Sequence, residues 1–294
     1  MERAKGILYA ALSSSTFGLA PLFTLLLLGL GYSSFEVLSY RWGVASLFLG
    51  ALALLAGRSF RLSWPELRTV FFLSLFRAAT SLSLVIAYQH IASGVASTIH
   101  FMYPLAVALA MMCFFREKGS VWVFAAIGMS IVGAVLLSLG NVDFSHGDTT
   151  LGIVSATVSV VAYGGYIVGV RRSRAVEIDS TVLTCYVMGL GALYFIAGGL
   201  VTGGIRIETD GTAWLCILGV ALPATAVSNM TLVQAIKRIG PTLTSVFGAL
   251  EPLTAVVIGV AVFGEPFTVQ GAAGILLIVA AVTIVILHSG RRKA

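Results

Sequence analysis

Between Gly6 and His288 the chain reads as a succession of apolar stretches of about 20 residues, parted by short polar joints. That length carries an α-helix across roughly 30 Å of hydrocarbon, because each residue advances the axis by about 1.5 Å. Few folds can accept such a pattern. A soluble domain is about half apolar and about a quarter charged. Here 58% of 294 residues are apolar and only 10% are charged, with 32 glycines besides. A water-facing surface cannot be built from so little charge, which excludes a water-soluble enzyme. A net charge of +6 would suit nucleic acid in a soluble protein. No basic patch with interleaved aromatics occurs, so nucleic acid is excluded as a partner. The lipid bilayer is the expected partner instead.

Ten segments fit a membrane crossing: 6–30, 34–56, 66–89, 93–115, 121–140, 150–170, 180–202, 211–236, 240–263 and 267–288. The expected fold class is therefore all-α integral membrane, with ten transmembrane helices and no sizeable extramembrane domain. Met1 to Lys5 resemble the charged start of a signal peptide, but the apolar run that follows extends to about Leu30 and offers no cleavage site. Cys113, Cys185 and Cys216 lie singly inside apolar runs. They form neither a disulfide framework nor a zinc site and read as small buried residues.

Orientation follows from Lys and Arg in the joints. On the side of the N-terminus stand Arg3, Lys5, Arg58, Arg61, Arg68, Arg116, Lys118, Arg171, Arg172, Arg174, Lys237, Arg238, Arg291, Arg292 and Lys293, against Arg206 alone on the other. This bias places both termini in the cytoplasm and the chain in the cell (inner) membrane as a multi-pass protein. Arg41 and Arg77 fall inside spans.

The two halves repeat one design. A shift of 148 residues lays Tyr103-Pro104-Leu105 on Glu251-Pro252-Leu253, Ala87 on Ala235, Ile91 on Ile239, Ser97 on Ser245, Phe115 on Phe263 and Glu117 on Glu265. A shift of 146 lays Gly6-Ile7 on Gly152-Ile153, Gly18 on Gly164, Tyr40 on Tyr186 and Gly43 on Gly189. The near-constant offset divides the single membrane domain into residues 1–146 and 147–294, each a five-helix repeat. An odd number of spans inverts the second repeat relative to the first. Such inverted repeats are common in secondary transporters, where one repeat rocks against the other around a midplane site.

Five plus five spans, with a glutamate closing spans four and nine, resembles the drug/metabolite transporter superfamily and in particular its EamA-type members. Phe115-Arg116-Glu117 with Gly128 and Gly133 carry the resemblance, as do Glu251-Pro252 and Phe263-Gly264-Glu265-Pro266 with Gly271. Arg41 matches a position where the family often has arginine. Lys118 departs from the small or apolar residue usual after the glutamate. The resemblance implies the ten-helix fold and export, with amino acids among the cargo.

Polarity inside lipid marks the candidate site, because burying an ionisable group there is costly. Pro104 and Pro252 are matched interruptions, each freeing a carbonyl four residues earlier, and are the gating candidates. His100, Tyr103 and Pro104 share one helical face, and the matching face carries Gly248, Glu251 and Pro252 with Ser245 a turn before. Glu251 is the one carboxylate near mid-membrane. It reads as a site for a substrate ammonium or a proton, or as the partner of Arg41 or Arg77 in an ion pair. His100 reads as a pocket donor or a satisfied buried histidine.

Arg77, Ser81 and Tyr88 form a stripe whose first two members map onto Thr225 and Asn229. Ser13 to Thr16, with Tyr163 and Tyr166, add polar groups from spans one and six. The substrate-binding candidates are thus His100, Tyr103, Glu251, Asn229, Ser245, Tyr163, Tyr166, Ser81, Tyr88, Arg77 and Thr16. Hydrogen bonding between helices is the alternative for the serine and asparagine stripes. The pairs Gly165 with Gly169 and Gly199 with Gly203 fit close helix packing. Spans five and ten carry little polarity and read as peripheral, where a weak dimer could form; the expectation is a monomer or weak dimer.

His90, His146 and His288 form no metal-ligand set, no cofactor motif occurs, and no P-loop for ATP is present. The leading expectation is a secondary carrier exporting a small neutral or zwitterionic organic metabolite, such as an aromatic amino acid. An intramembrane enzyme would need a nucleophile-base pair or an HExxH-like ligand set. A passive channel would need rings of charge or a carbonyl filter. Neither signature is found, and a carrier for another amphipathic metabolite or drug is the remaining alternative.

Overall fold

The computed structural model describes residues 2–138, 147–263 and 268–288. His146, Glu265, Pro266 and the division at 146/147 lie outside them. The regular structure of the described residues is helical, and prolines decide several of its breaks. A proline has no N–H to donate and its ring collides with the carbonyl four residues back. Pro21 thus ends α1 (Glu2–Phe17) and opens α2 (Ala20–Gly29). Pro104 likewise ends α5 (Ser93–His100) and stands in the first turn of α6 (Tyr103–Phe115). Across that second break the backbone tightens, Met102 N–H reaching the Ile99 carbonyl at 3.0 Å.

Uninterrupted helices in this part of the chain are α3 (Ser34–Leu55), α4 (Trp64–His90), α7 (Val121–Ser138), α8 (Thr149–Arg172) and α9 (Ser180–Thr202). The starts of α3, α4, α8 and α9 are capped by side chains. Ser33 and Ser63 form capping boxes with Glu36 and Glu66, while Asp148 and Asp179 accept from the first N–H groups of α8 and α9. Pro223 turns the chain between α10 (Gly211–Ala221) and α11 (Ser228–Ile239) into a π-helical stretch, Leu222–Val227. Beyond Gly240 come α12 (Pro241–Val246), a 3₁₀ turn at Phe247–Ala249, α13 (Leu250–Phe263) and α14 (Val269–His288).

Among the described residues eight helices are long and apolar enough to cross a membrane, with a shorter apolar helix at Val121–Leu136. These account for nine of the expected crossings. The ninth expected span, 240–263, is instead broken into α12, the 3₁₀ turn and α13, because Pro241 and Pro252 bracket Gly248.

The packing has a regular plan. α3 lies along α9 and α7 along α14; α4 lies along α8, and α1 along α11. Further inward, α6 meets α8 and α13 meets α1. Each pairing keeps its sense when the first and second halves are exchanged. Small residues allow the close approaches: a Cβ on Gly165 would meet the Phe76 ring at 3.0 Å, and one on Gly169 would meet Leu73 at 2.8 Å. Gly18, at the break after α1, faces the Glu251 carbonyl, which an added Cβ would meet at 2.6 Å. α14 is the least buried of the long helices, as its plain composition suggests. Cys113 is exposed and Cys185 half-buried rather than buried, whereas Cys216 is buried.

Candidate functional site

The breaks converge. The ends of α1 and α5, the starts of α6 and α13, and the π-helical stretch meet the middles of α3, α4 and α8 in the interior of the bundle. At their centre stands Arg77, 1% exposed. Its Nε donates to Asn229 Oδ1 at 2.8 Å and its Nη1 to Ser81 at 3.3 Å. The guanidinium carbon lies 5.0 Å from the ring centre of Tyr163 and 5.4 Å from that of Phe17, with Tyr166 and Trp42 at 5.9 and 6.0 Å. A cation this deep is held by ring faces and neutral oxygens.

The π-helical stretch sets the second cation. Widening the helix there lets the Thr225 hydroxyl reach back five residues to the Val220 carbonyl at 2.7 Å. The same hydroxyl accepts from Arg41 Nε at 2.6 Å. Asn229, one turn on, anchors its amide to the Thr225 carbonyl at 2.7 Å, which aims its oxygen at Arg77.

Glu251 accepts a hydrogen bond from the Tyr103 hydroxyl at 3.0 Å. Among the described residues no carboxylate comes within 4.0 Å of either Arg41 or Arg77; the salt bridges lie elsewhere. The ion pair considered for Glu251 is therefore replaced by a tyrosine contact, because Phe17 stands between the two arginines and α13. His100 holds Ser159 through Nδ1 at 2.8 Å and stacks on Tyr163, ring centres 5.3 Å apart, while its Nε2 has no partner. Tyr103 meets Tyr163 edge to face at 4.6 Å.

Two small cavities flank Phe17. One, about 30 Å³, is lined by Tyr88, Ser97, His100, Glu251 and Pro252 among others. The other, about 10 Å³, is lined by Thr24, Arg41, Arg77, Ser81 and Tyr88 among others. The smaller one holds about one water, and together they fall far short of the ~300 Å³ or more of a usual small-molecule pocket.

The sequence profile of the EamA-like transporter family matches residues 4–139 and again residues 150–287. The chain belongs to the EamA-like transporter family. As such it is a multi-pass membrane transporter of the drug/metabolite transporter superfamily. An uncharacterized transporter of Bacillus subtilis, YojE, is 26% identical over 276 residues, covering 91% of this chain and 88% of that one. An uncharacterized transporter of Archaeoglobus fulgidus is 25% identical over 238 residues, 81% of this chain and 83% of that one. A protein of known crystal structure shares the fold at a TM-score of 0.80 and 20% identity, covering 100% of this chain and 99% of that one.

Within this EamA-like transporter, Arg77, Ser81, Asn229, His100, Tyr103, Tyr163, Tyr166, Tyr88 and Glu251 are brought together. Pro104 and Pro252 stand at the helix breaks beside them, and Pro252 lines the larger cavity. Two candidates do not join. Thr16 and Ser245 turn their hydroxyls back to carbonyls of their own helices, Leu12 at 2.7 Å and Thr242 at 2.9 Å. Phe17, Thr24 and Ser159 belong to the site although sequence reasoning passed over them; Phe17 could have been noticed from its place four residues before Pro21. Glu117, carried by the family resemblance, lies in a separate cleft of about 490 Å³ with Arg3, Lys118 and Arg238.

At the opposite end of α1–α2 from Arg3, Arg206 is the centre of a second polar cluster. Its backbone N–H and its Nε both donate to Glu36 Oε1 at 3.0 Å, and its guanidinium also reaches the Gly31 carbonyl and covers the Tyr32 ring at 4.2 Å. Tyr32 donates to Glu208, and Tyr40 donates to the Arg206 carbonyl at 2.5 Å. This network ties the 203–210 connection to the α2–α3 turn.

Proposed function

We propose that this transporter is a secondary carrier that exports a small neutral or zwitterionic organic metabolite, with aromatic amino acids as the leading class. The observation that carries the reading is the assembly of one carboxylate, two guanidiniums and four tyrosines around Phe17 in the bundle interior. A carboxylate suits an ammonium, the guanidiniums suit an anionic or carbonyl group, and the rings suit an apolar or aromatic body. No motif for ATP or another cofactor occurs in the sequence, so movement of the solute would draw on gradients.

The carrier works by alternating access between two inverted repeats, 1–146 and 147–294, of five spans each, with both termini in the cytoplasm. Two features support that arrangement. The helix pairings survive exchange of the halves, and Tyr103 touches Glu251, its own counterpart 148 residues on. Residues contact their counterparts only near a two-fold axis. Ser81 and its counterpart Asn229 likewise both bind Arg77. The contracted cavities correspond to a closed stage of the cycle, and rocking of the repeats widens them. The experiment is counterflow in liposomes with labelled amino acids, amines and nucleosides. Saturable counterflow of an amino acid is expected. Flux without saturation would point to a channel, and chemical conversion of the solute to an intramembrane enzyme; either would refute the reading.

A further inference from the structure

We propose that Arg41 and Thr24 form a carboxylate subsite, separated by Phe17 from the Glu251–His100 end of the pocket. This rests on the transport reading above and assigns the two ends of its substrate. The first ground is charge. The smaller cavity is lined from α1, α2, α3 and α4, and its only charged lining groups are Arg41 and Arg77. Two buried cations without a carboxylate within 4.0 Å among the described residues are costly to hold.

The second ground is unspent hydrogen bonding. Arg77 divides its donors between Asn229 and Ser81. Arg41, 4% exposed, gives Nε to Thr225 and leaves Nη2 without a partner. Thr24, 1% exposed, also has an unpartnered hydroxyl. Ser39, Ser130, Tyr166 and Thr242 also have buried hydroxyls without a partner among the described residues, but of these five only Thr24 lines this cavity. The hydroxyls of Thr80, Thr184, Thr231 and Thr254 each close on the carbonyl four residues earlier, at 2.7 to 2.9 Å. Thr24 forgoes the same bond although Ala20 lies one turn behind it. One donor from a guanidinium and one hydroxyl beside the same cavity form a fork for a carboxylate.

Phe17 supplies the partition. It lines both cavities, and its ring lies 5.8 Å from the Arg41 guanidinium carbon. It is also the last residue of α1, just before the Gly18 break. A swing of this ring joins the two cavities. A zwitterion then spans them with its carboxylate on Arg41 and Thr24 and its ammonium on Glu251.

The test uses purified full-length protein and probes sharing one aromatic body: sodium 3-phenylpropionate and phenethylamine hydrochloride, with sodium acetate and sodium chloride as controls. Thermal unfolding is measured against probe concentration. Both aromatic probes are expected to raise the wild-type melting temperature. In R41Q and T24V the apparent affinity for 3-phenylpropionate should fall about tenfold or more, as expected for losing a hydrogen bond to a charged group. Phenethylamine should bind both variants normally. T24V, nearly isosteric, decides the matter if R41Q does not fold. The proposal is overturned if 3-phenylpropionate does not shift the wild type, if chloride shifts it equally, or if T24V keeps full affinity for 3-phenylpropionate. Carboxylate binding that depends on Thr24 without counterflow would sustain the subsite and sink the transport reading. Counterflow with unaltered 3-phenylpropionate binding in T24V would do the reverse.

Discussion

Replacing Glu251 by glutamine tests the centre of the site, and its outcome can be worked from the contacts. Among the described residues the carboxylate has one hydrogen-bond partner, the Tyr103 hydroxyl at 3.0 Å, and no arginine within ion-pair distance. Glutamine keeps a carbonyl oxygen for that hydroxyl and nearly the same volume. The change exchanges a bond to a charged acceptor, about 1.5–3 kcal/mol, for a neutral one of about 0.5–1.5 kcal/mol. The loss is therefore about 1 kcal/mol, less whatever desolvation the neutral amide avoids. For a chain of this size that amounts to a fall of about 2–4 °C in melting temperature at most. A substrate ammonium, by contrast, loses a charge-assisted contact, so counterflow should fall by about tenfold to a hundredfold. Both quantities are measured on the same purified preparation, one by unfolding and one after reconstitution. Were Glu251 half of a buried ion pair, removing its charge would cost about 3–5 kcal/mol and the protein would be lost. Unchanged flux at unchanged stability would refute the reasoning, as would collapse of the fold.

Orientation can be read by cysteine labelling in a background lacking Cys113, Cys185 and Cys216: T209C should react with an impermeant thiol reagent from outside, and S59C or S173C should not. Replacing Pro104 or Pro252 with alanine should let the broken helices rejoin and slow counterflow; indifference to both changes would remove the prolines from the mechanism. Tyr103→Phe should cost about 1–3 kcal/mol in unfolding experiments, since it strips Glu251 of its donor, and an unchanged melting temperature would show that the carboxylate finds another. Gly18→Val should destabilise by about 1–3 kcal/mol or more through overpacking, because its Cβ falls on the Glu251 carbonyl and the Thr254 side chain.

Runs of about 20 apolar residues determine by themselves that this chain is helical and lives in a bilayer, since backbone polar groups in lipid are satisfied within each helix. The matched motifs at a 148-residue offset were legible too, as was the family they resemble. So were the stripe of Arg77 and Ser81 and the face of His100 and Tyr103, because a helical face depends only on local periodicity. Pro21, Pro104 and Pro252 even mark the breaks, four residues downstream of each, while Pro223 stands inside the π-helical stretch.

Which face meets which is another matter. That Glu251 finds Tyr103 and not an arginine follows from Phe17 being inserted between α3, α4 and α13. Thr16 and Thr24 are two threonines of the first apolar run, eight residues apart. One spends its hydroxyl on its own helix and the other faces a cavity with it unspent. Arg41 reaches Thr225 because a π-helical stretch, 184 residues away, turns that hydroxyl toward it. Contacts of this kind depend on the relative position of distant helices, and no local period encodes that position.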